Sequence, residues 1–99
     1  MARVGYARGA LQDLERLAEL LEREHEGAGL ETLQIIASAI DVLEQHPLVG
    51  RPVEHRMREL VISRGRSGYL ALYRFERQQE LVLVLAVRHQ REAGFLDLG

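Results

Sequence analysis

The segment RELVISRGRSGYLALYRFERQQELVLVLAV, residues 58–87, decides the fold. Apolar and polar residues alternate in RELVIS and again in YLALYRF, whereas the closing LVLVLAV is continuously apolar. Alternation is typical of a half-buried strand, and a short apolar run is typical of a fully buried one. The loops between them, RGRSG and ERQQE, are short and polar. We therefore predict three consecutive strands that form an antiparallel meander.

The residues before this segment follow the period of an α-helix. Helices are predicted from Ala10 to about His25 and from about Leu30 to Gln45, because apolar residues recur at spacings of three and four. Glycines separate the two helices, and the proline after His46 ends the second. The apolar stripes comprise Leu11, Leu14, Leu17, Ala18 and Leu21 in the first helix and Leu33, Ile36, Ala37, Ile40 and Leu43 in the second.

These elements predict a single domain that spans residues 1–99. Met1 to Tyr6 alternates like a short strand, so the predicted order is β-α-α-β-β-β. Two amphipathic helices joined by a few residues form an antiparallel hairpin. The predicted fold class is α+β, with the helical hairpin packed on one face of a small antiparallel sheet.

The sheet face turned away from the helices is predicted to be apolar. On this prediction it carries Val61, Tyr69, Ala71, Tyr73 and Phe75. A face in contact with water would alternate more regularly with polar residues, so a partner or a cleft is favoured here. A loop such as residues 49–57, or a second copy of the chain, is an alternative cover.

Composition sets outer limits on the function. Apolar residues make up 46% and charged residues 28%, as in soluble globular domains. The chain has no cysteine, which excludes disulfides and thiolate metal sites. Its longest apolar run is too short to cross a bilayer, and the first residues lack the apolar region of a secretory signal. We expect a cytoplasmic protein without a membrane partner.

The charges are distributed unevenly between the two halves. Residues 1–50 hold four arginines and nine acidic residues, a balance of −5, whereas residues 51–99 hold nine arginines and six acidic residues, a balance of +3. All 13 basic residues are arginine, a bias that a GC-rich genome alone would produce. The arginine fork nevertheless binds carboxylates and phosphates well, so the basic half could meet RNA, DNA or an acidic peptide.

The pentad after the last strand carries the candidate chemistry. His89 follows the apolar run and lies between Arg88 and Arg91. Histidine suits proton transfer near neutral pH, and neighbouring arginines can stabilise charge on a phosphate. A structural or solvated histidine is the alternative. The other histidines have no spacing that builds a metal site, and no phosphate-binding glycine loop occurs, so no metal and no cofactor is expected.

Three stretches together resemble the RelE/ParE superfamily. These are HPLVGRPV (46–53), RELVISRGRSGYLALYRF (58–75) and LVLAVRHQREAGF (83–95), and ARGALQDLERLAELL (7–21) is similar to the first helix of the family. The resemblance implies a toxin of a bacterial type II toxin–antitoxin module, often described as a plasmid stabilization protein that inhibits growth. It covers nearly the whole chain and agrees with the predicted order of elements.

The resemblance leaves two mechanisms open. RelE-like members cleave mRNA on the ribosome without a metal, whereas ParE-like members inhibit DNA gyrase. RelE-like members often have an arginine after the tyrosine of the middle strand, but here Leu70 follows Tyr69. Gyrase inhibition is therefore favoured. If the chain is instead an endoribonuclease, His89 is the expected acid or base, and Arg58, Arg64 or Arg91 is expected to hold the phosphate.

The resemblance also implies a cognate antitoxin as partner. We expect it to cover the face with Tyr69, Tyr73 and Phe75, with Arg58, Arg64 and Arg66 at the rim, because aromatic and arginine side chains dominate interface energetics. A homodimer or a heterotetramer with the antitoxin is a possible assembly. An inactive member that serves only as an antitoxin-binding or dimerisation module is the third alternative.

Overall fold

The computed structural model describes residues 1–64 and 67–90. Within these residues, two helices pack against a five-stranded sheet in which the strand latest in the sequence lies between the first strand and the other three. Among the described residues, neither helix is both long enough and apolar enough to span a membrane. The elements are β1 (Arg3–Tyr6), α1 (Arg8–Glu24), α2 (Ala28–Asp41), a 3-10 turn (Val42–Glu44), β2 (Arg51–Val53), β3 (Met57–Arg64), β4 (Ser67–Glu76), a second 3-10 turn (Arg77–Gln79) and β5 (Leu81–His89).

The α+β fold class and the helical hairpin are confirmed, but the sheet is mixed. Its order is β1-β5-β4-β3-β2, and β1 pairs with β5 in parallel. The helical hairpin connects β1 to β2, which are the two outer strands of the sheet. The strand β2 was not predicted, since it lies within the segment expected to be a loop. It is only three residues long and contains Pro52, which an edge strand tolerates.

The predicted assignment of the sheet faces is wrong. Tyr73 is fully buried and Tyr69 is 4% exposed, and both belong to the core that the sheet shares with the helices. Phe75 is half-buried against the same core. The register explains the error, because Tyr69 lies opposite Ile62 and not opposite Val61. A shift of one residue in register exchanges the two faces of a strand.

A bulge in β5 adapts this strand to the core. The pairing with β4 shifts between Leu72 and Tyr73, which lie opposite Ala86 and Val84 respectively. The extra residue changes the phase of the alternation, so Val84 and Val87 both belong to the core although they are three residues apart. The helices contribute the buried side chains Ala10, Leu17, Ile36, Ile40, together with Leu43 of the 3-10 turn.

The two helices approach closely at the turn that joins them. An added Cβ at Gly29 would lie 2.6 Å from the backbone oxygen of Ala18, so only glycine fits there. The carboxylate of Glu22 accepts hydrogen bonds from the backbone N–H groups of Gly27 (2.9 Å) and Gly29 (3.0 Å). These N–H groups belong to the start of α2 and have no partner within the helix. Glu22 therefore caps α2 from the neighbouring helix.

The cap predicts a pH-dependent contribution to stability. The bond from Gly27, then that from Gly29, holds the pKa of Glu22 below its ordinary value. A carboxyl group whose pKa is lowered by folding stabilises the fold above its unfolded pKa of about 4.3, and this stabilisation is lost as the pH falls through the folded pKa. We expect Glu22→Gln to lower the melting temperature at pH 7 and to matter progressively less in acid.

Melting curves between pH 7 and pH 2 test this expectation, with Glu24→Gln on the exposed surface of the same helix as the matched control. An equal effect of Glu22→Gln at both ends of this range would contradict the role of the ionised carboxylate.

Candidate functional site

The exposed edge of β5 is closed by a side chain of α1. Strand β1 ends at Tyr6, and the next residue, Ala7, donates its N–H to the carbonyl of Val84 (2.9 Å). Beyond Val84, no described strand pairs with this side of β5. There the Asp13 carboxylate accepts the N–H of Val87 (2.9 Å). It thus takes the place of a strand and satisfies a backbone donor that would otherwise lack a partner.

Arg88 is held by the same carboxylate. Its guanidinium forms an ion pair with Asp13 and donates to the carbonyl of Val87 (3.1 Å). Both charged side chains are largely shielded from solvent, with 24% of Arg88 and 14% of Asp13 exposed. The positive charge of Arg88 is therefore already compensated, and this arginine is not poised to hold a phosphate.

His89 packs edge-on against Tyr69. The ring centroids are 5.3 Å apart and the planes are nearly perpendicular, at 88°. The two residues lie opposite each other in the β4–β5 register. Because Tyr69 is buried and His89 is half-buried, the contact fixes the orientation of the imidazole at this end of the sheet. His89 thus has the ordered geometry that an acid or base needs, beside an arginine whose charge is paired.

Arg58, one of the arginines expected to hold a phosphate, lies away from His89 in the sheet. Arg58 lies opposite Tyr73, four residues along β4 from Tyr69. At about 3.3 Å per residue this is a separation of roughly 13 Å along the sheet. The backbone of Arg64 pairs with Ser67 near the end that carries His89. Arg66 and Arg91 lie outside the described residues.

Arg58 and Tyr73 together hold the turn before β2. The guanidinium of Arg58 donates to the carbonyls of Leu48 (2.9 Å) and Gly50 (2.8 Å). The Tyr73 hydroxyl accepts the N–H of Gly50 (2.9 Å) and donates to the carbonyl of Pro47 (2.8 Å). We call these contacts the turn clamp.

The environment of the clamp matches a structural role. Burial raises the pKa of the Tyr73 phenol, although the bond from Gly50 and the charge of Arg58 act in the opposite direction. A Cβ at Gly50 would lie 2.6 Å from the tyrosine ring, so glycine is required at this position. Tyr73, predicted to form the interface, is instead a core residue that anchors a turn.

The sheet face away from the helices is apolar, but with other residues than predicted. Val61, which is 51% exposed, lies opposite Leu70, and Leu72 lies opposite Ala86. The buried carboxylate of Glu59 on this face is paired with Arg51 of β2. Leu70 lies between Val61 of β3 and Arg88 of β5 in the register.

An apolar groove lies on the helical hairpin. It has a volume of about 540 Å³ and is open to solvent along α1, where Leu11 is 53% exposed. Burial, and then the negative charge of Asp41, raises the pKa of Tyr6 at the groove. The lining residues are Tyr6, Leu11, Leu14, Glu15, Ala18, Glu19, Leu33 and Ala37. Sequence reasoning missed this groove because it assigned Leu11, Ala18 and Ala37 to the core.

Comparison with known proteins gives a consistent result. The family model described as the ParE toxin of the type II toxin–antitoxin system parDE matches residues 4–94. The curated protein Toxin RelE3 of Caulobacter vibrioides is 32% identical over 83 residues, which are 84% of this chain and 88% of that protein.

Solved structures share the fold. A chain of the chromosomal ParDE system from P. aeruginosa superposes with a TM-score of 0.73 at 23% identity, covering 88% of this chain and 94% of that one. The isolated E. coli RelE toxin superposes with a TM-score of 0.62 at 12% identity, covering 99% of this chain and 94% of that one. The match of the family model over most of the sequence, and the relative above 30% identity, place the chain in the RelE/ParE superfamily. The chain belongs to the ParE toxin family and is a toxin of a type II toxin–antitoxin module.

Proposed function

We propose that this toxin arrests growth by binding and inhibiting DNA gyrase, as a ParE-like toxin, and not by cleaving mRNA. The observation that carries the proposal is that Arg58, a candidate for holding the phosphate, and Arg88, the arginine beside His89, both have other partners. Arg58 belongs to the turn clamp and Arg88 is paired with Asp13. An RNA-cleaving site needs cations free to stabilise charge that develops on the phosphate. The matching ParE family model supports the same choice.

Ribosome-dependent mRNA cleavage is the second candidate. The ordered contact between His89 and Tyr69 favours it, since a fixed and half-buried imidazole suits an acid or base. On this alternative, Arg64, whose backbone pairs with Ser67 near the end of the sheet that carries His89, would hold the phosphate. Either activity would be exerted in the cytoplasm.

We also propose that a cognate antitoxin neutralises the toxin. Structural relatives include the E. coli RelBE toxin–antitoxin complex and the RelBE2 complex from Mycobacterium tuberculosis. The face once expected to meet the antitoxin is buried in this chain, because Tyr69 and Tyr73 lie in the core. The groove of the helical hairpin offers accessible apolar surface for a partner. We therefore assign the antitoxin to this groove.

Two assays of the purified chain distinguish the mechanisms. We expect inhibition of gyrase supercoiling in vitro and no cleavage of mRNA on programmed ribosomes. His89→Ala should leave gyrase inhibition within about twofold of the parent, because a surface contact outside a binding hot spot contributes little. The matched control is Gln90→Ala, at the exposed neighbouring position.

Specific mRNA cuts that are lost in His89→Ala but retained in Gln90→Ala would establish the second candidate. A chain that neither inhibits gyrase, nor cleaves mRNA, nor arrests growth on induction would be the inactive antitoxin-binding module.

A further inference from the structure

The groove of the helical hairpin has the shape of a site for a short helix. On the α1 side its lining residues recur at positions 11, 14, 15, 18 and 19, which is one helical stripe of two turns. Two turns correspond to a length of roughly 12 Å. Leu33 and Ala37 form the α2 side, and Tyr6 of β1 completes the lining. An amphipathic helix can lay its apolar face into a groove of this kind, with anchors three or four residues apart.

The rim of the groove is acidic. Glu15 and Glu19 are exposed, lie one turn apart on α1 and line the groove directly. The facing helix, Ala28–Asp41, contains no Lys, Arg or His that could neutralise them. The negative charge of Asp41 reaches the phenol of Tyr6 at the groove. Arg16 engages in an interaction of its own and does not line the groove.

We infer that the groove selects an amphipathic helical segment whose apolar anchors are flanked by Lys or Arg side chains that face Glu15 and Glu19. This inference rests on the proposed antitoxin partner and specifies the chemistry of its segment. It reverses the expectation from the sequence, in which an acidic segment met the arginine-rich second half. The accessible apolar groove lies in the half of the chain with a balance of −5, so complementarity requires a basic occupant.

Two synthetic peptides provide the probe. Both are 18-residue alanine-based helices with the same leucines at i, i+3, i+4 and i+7, flanked by lysines in one peptide and by glutamates in the other; this length keeps an isolated helix populated. Binding to the full-length toxin is measured by titration calorimetry at low and high salt. We expect the lysine peptide to bind about tenfold more tightly than the glutamate peptide or better, because like charges across an interface are strongly unfavourable.

Variants of the rim test whether the groove causes the preference between the two peptides. The double variant Glu15→Lys and Glu19→Lys should reverse the preference between the peptides, whereas Glu24→Lys, exposed on the same helix but outside the lining, should leave it unchanged. Circular dichroism checks that each variant is folded, which is expected because both rim residues are exposed. Equal affinity for the two peptides, or binding of neither peptide, overturns the inference.

The cognate antitoxin separates this inference from the proposed function. An antitoxin that binds the parent toxin but binds the double variant with the same affinity leaves the toxin–antitoxin assignment intact and overturns the basic-segment inference. If the antitoxin fails to bind the parent toxin, the proposed partner is contradicted. If the lysine peptide still binds more tightly than the glutamate peptide, the inference about the groove stands.

Discussion

Replacing Tyr73 by alanine is expected to lower the free energy of unfolding by about 3–5 kcal/mol, as for other large aromatic side chains removed from a core. Tyr73 is fully buried among residues of the sheet and of the helices. Its removal also releases Gly50 and Pro47 from the turn clamp. Urea unfolding monitored by circular dichroism measures the change.

Tyr73→Phe is the matched control, because it separates the loss of the buried ring from the loss of the hydroxyl contacts. The ring stays in the core, but the N–H of Gly50 loses its acceptor in a buried environment. An unsatisfied buried donor costs about 1–3 kcal/mol, so the phenylalanine variant should lie between the parent and the alanine variant. Antitoxin affinity of the folded variants should change little. A stably folded Tyr73→Ala variant with strongly reduced antitoxin affinity would support the interface predicted from the sequence and contradict the assignment to the groove.

Replacing Gly29 by alanine should destabilise the helical hairpin by about 1–3 kcal/mol through overpacking. The new Cβ would meet the backbone oxygen of Ala18 at 2.6 Å and the capping carboxylate of Glu22 at 3.0 Å. A backbone atom inside a helix cannot move aside, so the helices must separate. The gain in helix propensity of about 1 kcal/mol that alanine normally offers over glycine is smaller than or similar to this cost.

Gly9→Ala provides a control that should not lower the stability. Gly9 also lies in a helix, but its Cβ would approach the carbonyl of Leu85 only to 3.4 Å, an ordinary contact. This variant should be neutral or more stable by up to about 1 kcal/mol. Thermal melting of the two single variants tests the contrast. A stabilised Gly29→Ala variant would show that the helices are not constrained at this crossing.

The order of the elements was predictable because it depends on local periodicity. The helical stripes identified Leu17, Ile36, Ile40 and Leu43 correctly as buried. The direction of β1 was not predictable, since a four-residue alternating segment contains no information on its partner. The short strand β2 was not predicted for a similar reason, because three residues that include a proline are too few to show the alternation of a strand.

The candidate site was less predictable than the fold because it depends on register. Both sheet faces carry apolar residues, so the alternation in YLALYRF groups Tyr69 with Tyr73 without stating which face meets the helices. The contact of His89 with Tyr69 required the bulged register of β5, and the pairing of Arg88 with Asp13 joins opposite ends of the sequence. Glu15 and Glu19 can be read from the sequence, but the groove beside them depends on how the two helices pack.

The position of β5 in the sheet has a consequence for folding during translation. Strand β5, which lies between β1 and β4, is the last of the described strands to be synthesised, and it supplies Val82, Val84 and Val87 to the core. In a nascent chain that ends before Leu81, β1 has no strand to pair with, and the core lacks the side chains of β5. Contacts between distant parts of a sequence also slow folding, because the entropy of closing the intervening chain is lost before the contacts form. The core therefore cannot form before Leu81–His89 has been synthesised, and we expect a product truncated before Leu81 not to adopt this fold.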